Sequence, residues 1–252
     1  MLKTVYKNNS GFTLVELAIV MMIIGFLIGG IVKGQELINN TRVKKTVQLL
    51  QTVEAAKTTF FDTYSAMPGD MSNAVSRLRD CTPANFCVNG DGNNRVITGN
   101  TDPTWRSAIT DPEPYQFWKH LTLAGMIGGI DPSADPSNPV YGASNPIAPI
   151  GGGFEFYYDR IMVSGGSQGG LTSGHIVRMT NGPPGALATP VATQQDAFML
   201  DQKIDDGKPS TGSLIADYGV TGTNTCKQTT GGQARYRVEQ RSGGCVLFYK
   251  VP

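Results

Sequence analysis

The chain is poor in charge, in histidine and in cysteine pairs of the kind that bind zinc. Charged residues make up 16% of its 252 residues and the formal net charge is +1, so the charge balance favours no nucleic-acid partner. It has two histidines and no C-x-x-C element, so a zinc site is not indicated. The 31 glycines have no period of three, which excludes a collagen-like chain. Together with 15 prolines they indicate a globular part rich in loops.

Charge is also missing from a long stretch near the N-terminus. Residues 12–32 form an apolar run of 21 residues whose single charged member is Glu16, and about 20 such residues cross a bilayer as a helix. A cleaved secretory signal would have a shorter apolar core followed by a small-x-small site, and the sequence from Gly29 onward offers no convincing one. The run is therefore predicted to be a membrane-spanning helix.

Glu16 is the anomaly of this run. A carboxylate at the centre of a bilayer costs about 3 kcal/mol on insertion scales, and less near the end of the span, where headgroups and water are close. One interpretation is that the side chain simply reaches the headgroups. The other is that it pairs with a cation inside the membrane. Because the run contains no Lys or Arg, that cation would be a new α-amino group, formed if the chain is cut just before Phe12.

The residues around Glu16 carry a family resemblance. The stretch GFTLVELAIVMMIIGFL, which begins at Gly11, resembles the prepilin N-terminus of type IV pilins and type II secretion pseudopilins. The resemblance implies that a membrane peptidase cuts between Gly11 and Phe12 and methylates the new N-terminal Phe12. It also implies that Glu16 pairs with the free amine of a neighbouring subunit as a fibre grows.

The same resemblance implies an organisation for the whole chain. Residues 1–11 would be the leader, residues 12–33 the transmembrane and assembly segment, and residues 34–252 an extracytoplasmic pilin-like domain. The protein would span a bacterial inner membrane once before assembly and lie in a pilus or pseudopilus fibre afterwards. Its partners would be the prepilin peptidase/methyltransferase, other pilin or pseudopilin subunits and the inner-membrane assembly machinery. A mature chain of 241 of the 252 residues favours a minor or specialised subunit.

Basic residues near the span favour the orientation opposite to the one that the resemblance implies, because the side of a span that is richer in Lys and Arg is normally cytoplasmic. The leader carries Lys3 and Lys7, whereas four basic residues follow the run: Lys33, Arg42, Lys44 and Lys45. The cysteines and the resemblance outweigh this count, because disulfides require an oxidising compartment for the bulk of the chain.

The cysteines are even in number, which in an exported chain indicates two disulfides. Cys81, Cys87, Cys226 and Cys245 allow three pairings, of which the pairing of sequence neighbours is the simplest. A bond between Cys226 and Cys245 would close a loop of 20 residues and contribute about 3 kcal/mol in the loop-entropy model.

Helical sequence continues beyond the apolar run. No proline occurs between Lys33 and Pro68, and apolar residues recur at spacings of three and four, which predicts one helix from about residue 12 to about residue 65. The predicted inward face comprises Val43, Val47, Leu49, Leu50, Val53, Glu54, Ala56, Lys57, Phe60, Phe61 and Tyr64. Glycine pairs four residues apart, Gly25/Gly29 and Gly30/Gly34, permit another helix to approach closely.

The remainder of the sequence predicts an α+β fold, with an antiparallel sheet packed against the long helix. A short amphipathic helix is predicted within residues 114–129, with Phe117 and Leu121 facing inward. Residues 194–212 resemble the helix and acidic turn that precede the last strands of pilin-like proteins. Four strands are predicted at residues 153–163, 175–181, 234–240 and 245–251, and the glycines between the last two suit a tight turn.

No cofactor or resident metal is predicted, although two acidic stretches are candidates for calcium. Asn89, Asp91 and Asn93 alternate as at the start of an EF-hand loop, but Asn94 stands where glycine is required and no glutamate follows at the twelfth position. The second candidate is the cluster of Asp201, Asp205 and Asp206. A hydrophilic turn and a helix-end cap are the alternative interpretations of these residues.

Three functions are compatible with these features. A processed and polymerised subunit accounts for Gly11, Glu16 and the unbroken helix together. A membrane-anchored extracytoplasmic binding module or adhesin that does not polymerise accounts for the anchor and the cysteines, but leaves Glu16 without a partner. An anchored enzyme would need a nucleophile, a base and an orienting residue within reach of one another, and no such set is indicated, so catalysis is not predicted.

Overall fold

The structure is a computed structural model that describes residues 12–97, 112–161, 172–183, 188–217, 226–239 and 244–252. The chain divides into two compact units, Met1–Thr41 and Arg42–Pro252. The helices are α1 (Leu14–Tyr64), α2 (Ala74–Arg77), α3 (Glu113–Leu123) and α4 (Gln194–Ile204), with a 3₁₀ turn at Pro83–Asn85. The strands are β1 (Gly153–Ile161), β2 (Thr172–Thr180), β3 (Leu214–Asp217), β4 (Lys227–Thr230), β5 (Gln233–Tyr236) and β6 (Val246–Val251).

Helix α1 confirms the predicted long helix, because it runs without a break over 51 residues. Its buried side chains all lie in the second unit and recur at spacings of three and four: Val43, Thr46, Leu50, Val53, Ala56 and Phe60. The predicted inward face is wrong at Phe61, which is 44% exposed. Each residue advances about 100° around a helix, so only one of two neighbouring phenylalanines can lie at the centre of the buried stripe.

Four strands form an antiparallel sheet in the order β1-β2-β6-β3, which confirms the predicted fold class. β1 and β2 pair over nine positions, from Gly153↔Thr180 to Ile161↔Thr172. The glycine-rich connection between them lies outside the described residues at 162–171. In the second unit, the Tyr249 hydroxyl of β6 donates to Glu54 of α1 at 3.0 Å, which joins the sheet to the helix.

The expectation that the last two predicted strands meet across a tight turn is wrong. β5 pairs with β4 in a separate two-stranded sheet, whereas β6 pairs with β2 and β3. The hairpin that does form turns at Gly231 and Gly232, whose φ angles of 60° and 80° are those that a two-residue hairpin requires. β6 is apolar on both of its faces, which suits its position between β2 and β3 inside the larger sheet.

The edges of the larger sheet are covered by the chain itself. On β1, the Phe154 amide donates to the Pro146 carbonyl at 3.0 Å and the Tyr158 amide to the Val96 carbonyl at 2.5 Å. On β3, the Ala216 amide donates to the Pro209 carbonyl at 2.9 Å. Another strand therefore cannot add to the sheet at these positions.

Both faces of the sheet are buried. One face contributes Phe154, Phe156 and Val177 to the same core cluster as the buried residues of α1. The other face carries Glu155 and its direct cross-strand partner Arg178, whose side chains form an ion pair and are each 1% exposed. Charged residues in a strand predict a face that is exposed to solvent. The burial of this second face is therefore not predicted by the sequence.

Both disulfides of the simplest pairing are present, Cys81–Cys87 and Cys226–Cys245. The first closes a ring around the 3₁₀ turn. The second ties the residue before β4 to the residue before β6, so it joins the small sheet to the large one.

Candidate functional site

The first part of α1 is apolar and unburied. An 18-residue window of the helix has a mean hydropathy of 2.6, and none of that window is buried within the chain. Phe12, just before the helix, is 85% exposed. By its length and composition this segment is able to cross a membrane.

Glu16 closes the N-terminus of α1 in a reciprocal hydrogen-bonded pair with Thr13. The Thr13 hydroxyl oxygen accepts from the Glu16 amide at 3.3 Å, and Glu16 Oε2 accepts from the Thr13 amide at 2.8 Å. The Thr13 hydroxyl also donates to Oε2 at 2.8 Å. The sequence Thr-Leu-Val-Glu is thus a capping box, in which a threonine before the helix and a glutamate three residues later satisfy each other's amide groups.

The capping box changes the interpretation of the charge in the apolar run. Two donors from Thr13 meet the Glu16 carboxylate, and the positive end of the helix dipole lies at the same place. Both bonds are to Oε2, and within the described part of the chain Oε1 accepts none. The carboxylate is therefore stabilised inside one subunit while one of its oxygens stays open to a further donor.

The predicted cleavage point lies next to this box. Gly11 is outside the described residues, whereas Phe12 immediately precedes the capping Thr13. The Thr13 amide binds the Glu16 carboxylate. An α-amine made at Phe12 would therefore belong to the residue directly before the one that binds this carboxylate. Such an amine can meet a glutamate of the same chain or of a neighbouring one.

The glycines of the apolar segment leave open space beside the helix. A methyl group added at Gly25, Gly29, Gly30 or Gly34 would meet no atom within 4 Å. Nothing in the described part of this chain therefore requires glycine at these four positions. Small residues in a membrane helix permit close approach of a second helix, which fits their predicted use.

The histidines of the globular unit have structural surroundings. His120 Nδ1 accepts from the Gly69 amide at 2.9 Å, and Nε2 lies 3.1 Å from the Val88 carbonyl. Burial lowers the pKa of His120 to about 4. His175 stacks on Phe156 at 5.4 Å between centroids, and burial lowers its pKa to about 4 as well. Both rings are thus neutral at pH 7, and both nitrogens of His120 are occupied by backbone groups.

A catalytic serine motif is formally present in the letters Gly-Gly-Ser-Gln-Gly at residues 165–169. The stretch lies outside the described residues and connects two antiparallel strands, β1 and β2. A nucleophile elbow requires a turn from a strand into a helix, so the surrounding elements do not fit that chemistry.

Helix α3 carries a row of buried polar side chains that bind backbone groups. Glu113 accepts from the Asp91 and Ile97 amides at 3.1 and 3.2 Å. Gln116 accepts from the Val88 amide at 3.3 Å and donates to the Phe86 carbonyl at 3.0 Å. Together with His120, these residues hold the segment from the first disulfide to Ile97.

The residues of the first calcium candidate have hydrogen-bond partners within the fold. The Asn89 side-chain oxygen accepts from the Val75 amide at 3.0 Å. Asp91 meets Asp70 and Glu113, with their carboxylate oxygens within 4.8 Å of one another. Asn93 remains beside Asp91, because its side-chain amide donates to Asp91 Oδ2 at 2.6 Å.

Asp70 is the buried centre of this first acidic group. It accepts from the amides of residues 92, 93 and 94 at 2.7, 3.1 and 2.6 Å. Burial raises its pKa, although these three donors act in the opposite direction. The carboxylate thus has a structural role in the loop, and Asp70, Asp91 and Glu113 are the oxygen ligands that the fold brings together here.

The fold brings the second calcium candidate together, with one carboxylate oxygen each of Asp201, Asp205 and Asp206 within 4.8 Å of the others. Each carboxylate also has a donor: Tyr236 binds Asp201 at 2.7 Å, Thr211 binds Asp206 at 2.6 Å, and the Leu214 amide binds Asp205 at 3.3 Å. Burial raises the pKa of Asp201 to about 7.

Comparison with known proteins points to the N-terminal segment. Residues 6–32 match the family model described as the prokaryotic N-terminal methylation motif. No curated protein and no solved structure matches the chain. The match covers both sides of the Gly11–Phe12 bond, and this motif is the signature of type IV pilins and pseudopilins. It supports the interpretation of the chain as a pilin-like or pseudopilin-like substrate of prepilin peptidase.

Proposed function

We propose that the chain is a specialised subunit of a type IV pilus or a type II secretion pseudopilus. Prepilin peptidase cuts between Gly11 and Phe12 and methylates Phe12. The mature subunit is anchored in a bacterial inner membrane by the apolar part of α1, with its globular unit outside the cytoplasm. The assembly machinery then transfers it into a fibre, where its first helix packs among those of neighbouring subunits.

The match of residues 6–32 to the N-terminal methylation motif is the observation that supports this proposal most strongly, and the reciprocal bonding of Thr13 and Glu16 explains how the charge is accommodated. In the anchored subunit, the two Thr13 donors lower the cost of keeping the Glu16 carboxylate in the apolar run. In a fibre, the Phe12 amine of a neighbour supplies a full positive charge. The open oxygen of Glu16 lets that amine bind before the bonds to Thr13 are given up.

A substitution of Glu16 tests this role. Glu16→Ala is expected to leave the protein inserted and folded but to reduce its incorporation into fibres strongly, because the neighbour's amine loses its partner. Glu36→Ala is the matched control, since Glu36 lies on the same helix outside the apolar run and its contact with Lys33, at 2.9 Å, is an exposed pair of small energetic weight. The readout is the amount of each variant in sheared fibres relative to membranes.

The results separate the proposal from its alternative. Equal incorporation of Glu16→Ala and Glu36→Ala would contradict an assembly role for Glu16. Absence of the unsubstituted chain from fibres, with normal membrane insertion, would support an anchored binding module or adhesin instead. Thr13→Val, which removes the capping oxygen, is expected to reduce incorporation less than Glu16→Ala, and Thr13→Ser should restore it.

A further inference from the structure

Charge is unevenly distributed along the chain after the apolar run. Residues 33–45 contain four basic residues and one acidic residue, a net charge of +3. Residues 46–252 contain 15 basic and 18 acidic residues, a net charge of −3. A charge asymmetry of this kind between parts of one chain indicates a charged partner for the smaller part.

Three of the four basic residues lie in the first turn of the second unit. Arg42, Lys44 and Lys45 are exposed there, and they form no ion pair with any residue that the structure describes. Lys33 differs from them, because its ammonium group is 2.9 Å from Glu36. We call Arg42, Lys44 and Lys45 the basic collar.

The collar lies within electrostatic reach of a membrane surface. It begins nine residues after Lys33 on the continuous helix α1, and nine helical residues rise about 14 Å. The headgroup layer extends about 5–7 Å beyond the hydrocarbon. Long basic side chains bend towards it, and the Debye length at physiological salt adds about 8 Å.

We propose that the basic collar binds anionic phospholipid headgroups of the leaflet on the side of the globular unit. This inference rests on the membrane anchoring in the proposed function. The net negative charge of residues 46–252 is repelled by the same surface, so the attraction is confined to the collar. The excess of basic residues after the apolar run then has a use other than orientation: it sets the depth of the anchored subunit before assembly.

The test uses the mature full chain in nanodiscs of equal phosphatidylcholine and phosphatidylglycerol. Native mass spectrometry counts the lipids of each kind that stay bound. A basic side chain near an anionic surface raises binding about fivefold, so the unsubstituted chain is expected to retain phosphatidylglycerol at least about fivefold more than phosphatidylcholine. Arg42→Gln/Lys44→Gln/Lys45→Gln should bring that ratio close to one, and salt should weaken it.

The matched control is Arg79→Gln/Lys203→Gln/Arg235→Gln, which removes the same charge from exposed positions of the globular unit. It should keep the enrichment, and an equal loss in this variant would overturn the assignment to the collar. Retained enrichment with poor fibre incorporation in the collar variant would identify a neighbouring subunit as the partner and refute the lipid proposal. Enrichment in Glu16→Ala should be unchanged, so failure of assembly and failure of lipid binding are distinguishable.

Discussion

Acid should destabilise the globular unit through His120. The ring accepts from the Gly69 amide through Nδ1, so its proton lies on Nε2 and is donated to the Val88 carbonyl. A second proton would have to enter at Nδ1, against the Gly69 N–H. Burial accordingly lowers the pKa of His120 from 6.5 to about 4.

The sign and size follow from proton linkage. Below pH 6.5 the unfolded chain binds a proton at His120 that the folded chain binds only near pH 4, so stability falls as the pH falls between these values. The difference between the two pKa values corresponds to about 3 kcal/mol of unfolding free energy. His175, with a pKa of about 4, also lowers the free energy of unfolding as the pH falls. Asp201, with a pKa of about 7, has the opposite effect, because the folded chain binds its proton more tightly than the unfolded chain does.

Because these groups have opposite effects on the free energy of unfolding, the informative quantity is the difference in that free energy between a variant and the unsubstituted chain. Urea unfolding of the full chain in detergent micelles, followed by tryptophan fluorescence, reports on the fully buried Trp118. We expect the cost of His120→Asn to be about 3 kcal/mol larger at about pH 7.5 than at about pH 4. Phe117→Leu, a neighbouring core substitution without a titrating group, should cost the same at both. A cost of His120→Asn that does not vary with pH would refute the reasoning.

Two further predictions concern charged groups of the globular unit. Glu155→Gln should cost about 3–5 kcal/mol in urea unfolding, because Arg178 is left charged and buried, whereas Glu155→Leu/Arg178→Met should cost clearly less. An equal cost for the two variants would contradict this account of the pair. Calcium is expected to leave the thermal midpoint unchanged. A rise that Asp91→Asn abolishes, with matching heat in calorimetry, would establish a cation at the first acidic group.

The long helix and the N-terminal motif were predictable because their signals are local. A run of 21 residues with one charge predicts a membrane-spanning helix, and the 3.6-residue periodicity that follows it up to a proline predicts that the same helix continues. The periodicity places both Phe60 and Phe61 on the inward face, and only Phe60 is buried. Tertiary packing decides between two such neighbours.

One site feature had a sequence signal that we missed. Thr13 and Glu16 have the threonine-x-x-glutamate spacing of a capping box, and Thr193 and Asp196 repeat it with aspartate at the start of α4. At Glu16 the spacing coincides with the start of the apolar run, where the membrane cost of the charge is the stronger signal. The rule for helix starts would have found the intramolecular partner of Glu16.

Other contacts had no such signal, because their partners are backbone groups that only the fold brings near. Lys119 is 4% exposed on α3 and donates to the Pro132 and Ala134 carbonyls at 2.5 and 2.9 Å. In sequence it is an ordinary lysine beside His120. The buried partner of Glu155 is equally hidden, since only the register of β1 against β2 places Arg178 opposite it.

The mass of the mature N-terminus tests the central claim most directly. Protein purified from cells with active prepilin peptidase should yield an N-terminal peptide that begins at Phe12 and carries one methyl group. Gly11→Ala should block or slow this processing. An intact leader on the unsubstituted chain in such cells, or an unmethylated N-terminus elsewhere, would contradict the account.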